Sequence, residues 1–351
     1  MHKRKFCWGI IGCGKIADQF AQSLSVIPNA KLYGVASKSA DKARKFARKF
    51  DVPYRFNTYE ELVNLAEIDA IYIATTHNYH YENSMLCIKY GKGVLCEKPL
   101  TVSSKEAENL ISFARTKKVF LMEAFWTRFL PSTNKLMDIL NQKLIGEVKM
   151  IKADFGYDFP FDPESRVYNP FLAGGALLDV GIYPINLAQL IFKNDPVETS
   201  SSAILSSTGI DEQSAYIFKY PNRGMAILYA AVNVETRHDA WIYGTEGLIH
   251  MPKFYCASRL HIIKHTGEKK TIDLPFKSTG YSYEVEEVMK CMKSGKLESD
   301  IMPLNESFKI IQKMDELRHS WGLRYPGENG FNNIKGDTTK GTPHSKRNNL
   351  D

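Results

Sequence analysis

No apolar run in this sequence reads as long enough to span a bilayer, so no membrane segment is predicted. Lys3, Arg4 and Lys5 make the start basic. The apolar run behind them, Phe6 to Ile11, is too short for the core of a secretory leader, and no small-residue cleavage site follows. Cysteine is scarce, with six in 351 residues: Cys7, Cys13, Cys87, Cys96, Cys256 and Cys291. Their spacing shows neither a disulfide framework nor a metal knuckle. Cys7, Cys87 and Cys96 lie inside apolar segments and read as small core residues, which fits a reducing, cytoplasmic compartment. No internal repeat is present. The formal charge of +7 has one share at Lys3–Lys5 and another at Lys38, Lys42, Arg44, Lys45, Arg48 and Lys49. That is too little basic patterning to predict nucleic-acid binding.

What is present is organised around Gly9-Ile10-Ile11-Gly12-Cys13-Gly14-Lys15-Ile16-Ala17. Phe6 to Ile11 reads as a buried strand, Gly12-Cys13-Gly14 as a tight turn, and Ile16 to Leu24 as a helix. A dinucleotide pyrophosphate needs that order. The glycines permit the turn and close backbone approach, and the free amides of the helix start face the anion. Gly12, Cys13, Gly14, Lys15 and Ile16 are therefore candidate cofactor contacts. Ala17, small where a third glycine often stands, still permits close helix–strand packing.

Strands and helices then alternate. Strands are predicted at 31–37, 69–74, 93–96 and 119–122, and helices at 41–50, 59–65, 79–90 and 103–117. Such alternation predicts a doubly wound parallel sheet with its cleft at the carboxyl ends of the strands. The rhythm changes after Glu123. Helices are predicted at 130–141 and 174–192, a strand at 146–155, an antiparallel meander over 196–273, and closing helices at 283–294 and 305–321. The predicted layout is a cofactor domain over 1–125, an α/β domain over 126–325 and a disordered polar tail over 326–351.

The second strand ends Val35-Ala36-Ser37-Lys38-Ser39, without the carboxylate that bonds a ribose 2′-hydroxyl. Ser37, Lys38 and Lys42 suit a 2′-phosphate, so NADP is favoured over NAD. Thr75, His77 and His80 follow the fourth strand, where the nicotinamide half of the cofactor would lie. No Cys, Asp or Glu is spaced to complete a metal site with these histidines. Glu97-Lys98-Pro99 ends a buried strand above the same cleft, and the Lys98–Pro99 bond is a candidate cis bond. Asp179 and Tyr183, four apart, share one helix face. With Lys98 they compose a possible proton relay in which the ammonium lowers the phenol pKa and hydride chemistry on an alcohol becomes feasible.

Together these residues resemble the Gfo/Idh/MocA oxidoreductase family. Met122–Phe129 and Gly174–Tyr183 are similar to its dihydrodiol and D-xylose dehydrogenase subgroup. The resemblance spans about Phe6 to Pro326. It implies a Rossmann domain followed by an α/β domain with a large, open, mostly antiparallel sheet through which such chains form homodimers. It implies Lys98 beside the nicotinamide, Tyr183 as acid–base group and Asp179 as its supporting carboxylate. It also implies Trp126 and Arg128 near the substrate, and NADP-dependent hydride transfer with a cyclic sugar or vicinal diol. Lys38 stands where the subgroup often has arginine, and Thr76 where the family often has proline. The alternatives are a non-catalytic nucleotide-sensing regulator of the same fold, or a reductase of another polyol or carbonyl compound.

Overall fold

Phe6–Ile11 is buried along its whole length and forms β1, the central strand of a six-stranded sheet. The computed structural model describes residues 4–331. Gly12, at φ +94°, turns the chain into α1 (Lys15–Ser25). β2 (Ala30–Ala36), α2 (Ala40–Lys49), β3 (Tyr54–Phe56), α3 (Tyr59–Val63), β4 (Ala70–Ile73), α4 (His80–Lys89), β5 (Gly93–Glu97), α5 (Ser104–Lys117) and β6 (Leu121–Ala124) complete the first unit. The sheet order is β3-β2-β1-β4-β5-β6, with every pairing parallel. The order reverses between β1 and β4, which opens the cleft at the carboxyl ends of these strands.

α6 (Pro131–Asn141) leads to β7 (Val148–Gly156), and α7 (Ile182–Phe192) follows a long loop. β8 (Glu198–Leu205), β9 (Asp211–Lys219), β10 (Met225–Ala231), β11 (Ala240–Gly244), β12 (Gly247–Met251), β13 (Arg259–Lys264) and β14 (Lys269–Asp273) complete the second sheet. Its order is β14-β13-β12-β11-β7-β10-β9-β8. The meander is not continuous, because β7 inserts between β10 and β11 and runs parallel to β10. One face packs on α7 through β7 and β10, where Ile151, Phe155 and Leu228 are buried. α8 (Ser282–Lys293) returns against α1, and α9 (Leu304–Ser320) against α5 and α7.

Three expectations need correction. Pro170–Phe192 is apolar and long enough to cross a bilayer by length and composition, but 83% of its apolar stretch is buried inside the protein. It is a core segment, as burial on all sides requires. The predicted disordered tail begins too early. Glu328 pairs with buried Arg318 and accepts from the Tyr325 amide at 2.8 Å, and Phe331 packs on Phe171 at 5.8 Å between ring centres. Residues 332–351 of that tail lie outside the described residues. β3 was not predicted at all; its residues are largely exposed and carry no buried apolar signature.

Candidate functional site

The cleft begins at the glycine turn. A side chain at Gly12 would collide with the Ala74 carbonyl at 2.6 Å, so only glycine lets β1 and β4 approach this closely. At Gly14 nothing lies within 4 Å of the position a Cβ would take. That open cradle faces an α1 start with no side-chain cap, and Lys15 and Ile16 are exposed. Uncapped amides beside open space are what a pyrophosphate needs, so these residues fit a dinucleotide. Cys13 is half-buried, and burial pushes its thiol up to about 12, so it serves as an inert packing group.

At the end of β2 the Ser37 hydroxyl accepts from the Ser39 amide at 3.3 Å. Ser39 caps α2 by accepting from the Lys42 amide, which leaves the Lys42 side chain exposed on the first turn. Lys38 places its ammonium 4.3 Å from the centre of the Tyr79 ring. Tyr79 had no sequence signal of its own; only its position after β4 makes it a wall of the cleft.

The second part of the site joins β5 to the segment before α7. Lys98 Nζ donates to the backbone oxygen of Asp179 at 2.5 Å and lies 3.3 Å from its Oδ1. Asp179 Oδ2 accepts from Arg166 at 2.9 Å. Burial alone would raise the Asp179 carboxyl, but Lys98, Arg166 and His77 outweigh it and hold it well below the ordinary carboxylate range. His77 has Nδ1 3.0 Å from the Ala173 carbonyl and Nε2 4.0 Å from Asp179 Oδ1. Burial, then the Lys98 charge, pushes its imidazole down to about 3, so it is neutral. The Lys98–Pro99 bond is cis.

Tyr183 projects its ring 5.1 Å from Lys98 Nζ, and its hydroxyl accepts from Trp126 Nε1 at 3.4 Å. Phe125, Phe155 and Tyr255 surround it at 5.2, 5.1 and 6.2 Å between ring centres. This apolar jacket corrects one expectation. Burial, followed by the charge of Glu97, pushes the phenol well above its ordinary value, and Lys98 does not lower it. The ammonium is held by the backbone oxygen and carboxylate of Asp179 and meets Tyr183 over the ring.

Three other candidates turn away from the cleft. His80 is fully buried, with Nδ1 2.7 Å from the Pro99 carbonyl and Nε2 3.2 Å from that of Thr75. It ties the Thr75 and Pro99 loops together. The Thr75 hydroxyl in turn accepts from Asn83 at 3.2 Å. Glu97 is buried and accepts from the Tyr72 hydroxyl inside the core, and burial pushes its carboxyl up to about 7. Arg128 is 3% exposed; it pairs with Glu306 and donates to Asn186 at 3.0 Å and to the Ile301 carbonyl at 3.2 Å. It binds α9 to α7 and cannot reach a substrate. Trp126 stacks on Tyr281 at 5.1 Å and meets the site only through its Nε1.

Among the described residues one cluster has metal-ligating types close together, Asp315, His319 and Glu328, but the Arg318 guanidinium already bridges its two carboxylates. Sequence reasoning missed Arg166, Phe155 and Tyr255. Arg166 lies in a loop without local pattern, and the two aromatics are brought to Tyr183 only by the second sheet.

Comparison with known proteins concerns the family and the fold. Residues 6–125 match the oxidoreductase family with NAD-binding Rossmann fold, and residues 133–250 match its GFO/IDH/MocA C-terminal domain. The trans-1,2-dihydrobenzene-1,2-diol dehydrogenase of Xenopus laevis is 36% identical over 330 residues, 91% of this chain and 99% of that protein. The human enzyme of the same name is 32% identical over 331 residues, covering 91% and 98%. Among solved structures, a 3-ketoreductase from Actinomadura kijaniata in complex with NADP and TDP-benzene superposes with a TM-score of 0.82 at 24% identity, covering 90% of this chain and 98% of that one. Aldose-aldose oxidoreductase from Caulobacter crescentus, complexed with glycerol, gives 0.82 at 19% identity, covering 90% and 97%. With both family domains matched in order and dehydrogenases a third identical over nine-tenths of its length, the chain belongs to the Gfo/Idh/MocA oxidoreductase family.

Proposed function

We propose that the protein is an NADP-linked dehydrogenase acting on a CH–OH group of a cyclic sugar or vicinal diol. The observation that carries this reading is the meeting of Lys98 with Asp179 and Tyr183 at the end of β5, in the same parallel sheet whose β1 leads into the open Gly14 cradle. Names of relatives support it. The vertebrate enzymes are dihydrodiol dehydrogenases, and a levoglucosan dehydrogenase holding NADH and levoglucosan shares the fold at a TM-score of 0.82 and 17% identity, covering 90% of this chain and 97% of that one.

The amides of Gly14, Lys15 and Ile16 would hold the pyrophosphate, Ser37, Lys38 and Lys42 the 2′-phosphate, and Thr75, His77 and Lys98 would lie toward the nicotinamide. When bound, NADP supplies the hydride acceptor or donor. Tyr183 rests as a neutral phenol and donates its proton to the reacting oxygen in reduction; in oxidation it must first lose that proton to solvent, and the tyrosinate then takes the hydroxyl proton as hydride leaves for the nicotinamide. Lys98, held by Asp179, supplies the positive charge beside that oxygen. Phe125, Phe155 and Tyr255 keep water from the exchange. Residues 1–125 serve as the cofactor unit and 126–325 as the substrate unit. All six cysteines are free, which suits the cytoplasm.

The outer face of the second sheet presents Met150, Ile217, Ile227, Tyr229, Trp241 and Tyr243 in register. We assign this face to a second copy of the chain. Sedimentation would show a dimer that Ile217→Lys weakens.

The test is absorbance in the reduced-nicotinamide band with NADP or NAD against D-xylose, D-glucose and a trans-dihydrodiol. Turnover with NADP, cut at least about a hundredfold by Tyr183→Phe, is the expected result. Tight cofactor binding with no turnover on any of them would favour the sensor alternative.

A further inference from the structure

The relay rests on a turn that is not α-helical. Leu177–Gly181 closes as a π turn before α7 begins. A π turn holds one residue more than an α turn, and each helical residue advances the face by about 100°. The register of this single turn decides whether Asp179 meets Lys98.

What fixes that register lies on β9. The Leu177 amide donates to Asp211 Oδ2 at 2.8 Å, and the Ser214 hydroxyl donates to the same oxygen at 2.9 Å. Ser214 also lies 3.3 Å from the Tyr216 hydroxyl. Asp211 is fully buried, and its Oδ1 has no hydrogen-bond partner among the described residues. Oδ1 stands against Gly175, where φ is +123° and a Cβ would collide with it. The Tyr216 hydroxyl fills the space that a side chain at Gly181 would need. The turn is thus bracketed by two glycines that fit around polar side chains of β9.

We infer that Asp211 is a positioning residue for the reaction: it caps the π turn and sets the register that presents Asp179 to Lys98 and Tyr183 to the cleft. The inference rests on the functional reading above for the word reaction; the capping role stands on geometry alone. A buried carboxyl with one unpaired oxygen is an expensive way to fill space, since burial pushes it up to about 7 against the pull of Ser214 and the Leu177 amide. The ionisable groups that face it are Tyr216 from β9 and Tyr325, whose hydroxyl donates to the Gly174 carbonyl at 2.6 Å. Arg318 stacks on the Tyr325 ring at 5.1 Å and is itself paired with Asp315 and Glu328.

Asp211→Ala and Asp211→Asn distinguish capping from packing, and two readouts need no substrate. Amide exchange over residues 176–183 should quicken about tenfold or more in Asp211→Ala, with the strands of the first sheet unchanged. Acylation of Lys98, followed by mass spectrometry, should quicken by a similar factor as Asp179 leaves it. Asn keeps an acceptor for the Leu177 amide and should bring both rates back to within about threefold of the native protein. In turnover, Asp211→Ala should lower kcat about tenfold or more with the KM for NADP unchanged. Native exchange and acylation rates in a folded Asp211→Ala would overturn the inference. So would Asp211→Asn loosening the turn as much as Ala. Should Asp211→Ala not fold, Ser214→Ala makes the same comparison: it removes one donor to Oδ2, with about threefold faster exchange expected and no change overturning the role. Absence of turnover in the native protein would count against the functional reading alone, since exchange and acylation still decide the capping role.

Discussion

Lys98 Nζ is held by both the backbone oxygen and the carboxylate of Asp179, at 2.5 and 3.3 Å, and from there it lies 5.1 Å from the centre of the Tyr183 ring. One carboxylate therefore sets the place of the cation that faces the phenol. Lys98→Met should lower kcat by about 10² to 10⁴. The KM for NADP should change little, because the Gly12–Gly14 turn is untouched. A variant with near-native kcat would remove Lys98 from the chemistry.

The two turn glycines differ in kind, and their alanine variants should separate fold from binding. Gly12→Ala forces a Cβ against the Ala74 carbonyl at a φ of +94°, so it should cost about 1–3 kcal/mol of stability, read as a lower Tm. Gly14→Ala meets open space at an extended φ of −98°. Its Tm should stay native while the KM for NADP rises about tenfold, because the methyl enters the phosphate cradle. Equal Tm losses in both variants would contradict this division.

Arg128 is the residue where sequence and structure part most clearly. Its guanidinium is buried on Asn186, Ile301 and Glu306, so Arg128→Met should act on stability and not on substrate binding. Losing a buried cation from its partner costs about 3–5 kcal/mol, reduced here to about 2 because Glu306 is 35% exposed and screened. Urea unfolding gives the loss. A raised substrate KM without loss of stability would return Arg128 to the pocket.

The pattern of what was legible follows from this. β1, β4 and β5 are buried on both faces and read as continuous apolar runs, so the first sheet could be predicted. β3 is short and exposed, and the insertion of β7 between β10 and β11 is a pairing of distant segments, so neither leaves a local trace. In the site, Lys98 was legible because a strand end places it, whereas the α-helical spacing read for Asp179 and Tyr183 is interrupted by the π turn Leu177–Gly181, which no local pattern announces. The polar neighbours were not legible either. Glu97 can turn to the cleft or to Tyr72, and His80 to the cleft or to Pro99, and the choice is made by partners far away in the chain. The phenol pKa departs from the expectation for a related reason: the ammonium is visible in the sequence, but the jacket of Phe125, Phe155 and Tyr255 is not.

His80 gives the site a defined acid sensitivity. Burial pushes its imidazole down to about 4, although both ring nitrogens face carbonyl oxygens. In the unfolded chain histidine titrates near pH 6.5, so between pH 6.5 and 4 the unfolded state holds a proton that the folded state does not. Stability from this group is therefore fully present above about pH 6.5 and is lost as pH falls toward 4. The difference amounts to about 2.5 kcal/mol at pH 4.5. His80→Asn carries no such proton and should lack this share of the pH dependence. His77, pushed down to about 3, and Glu97, pushed up to about 7, titrate in both proteins and cancel in the comparison. Urea unfolding at pH 7.5 and pH 4.5 should show the native protein losing about 2.5 kcal/mol more than the variant. Equal losses would mean that His80 is protonated in the folded protein, with both nitrogens donating to the Pro99 and Thr75 carbonyls, and that the tie between the two loops tightens rather than breaks in acid.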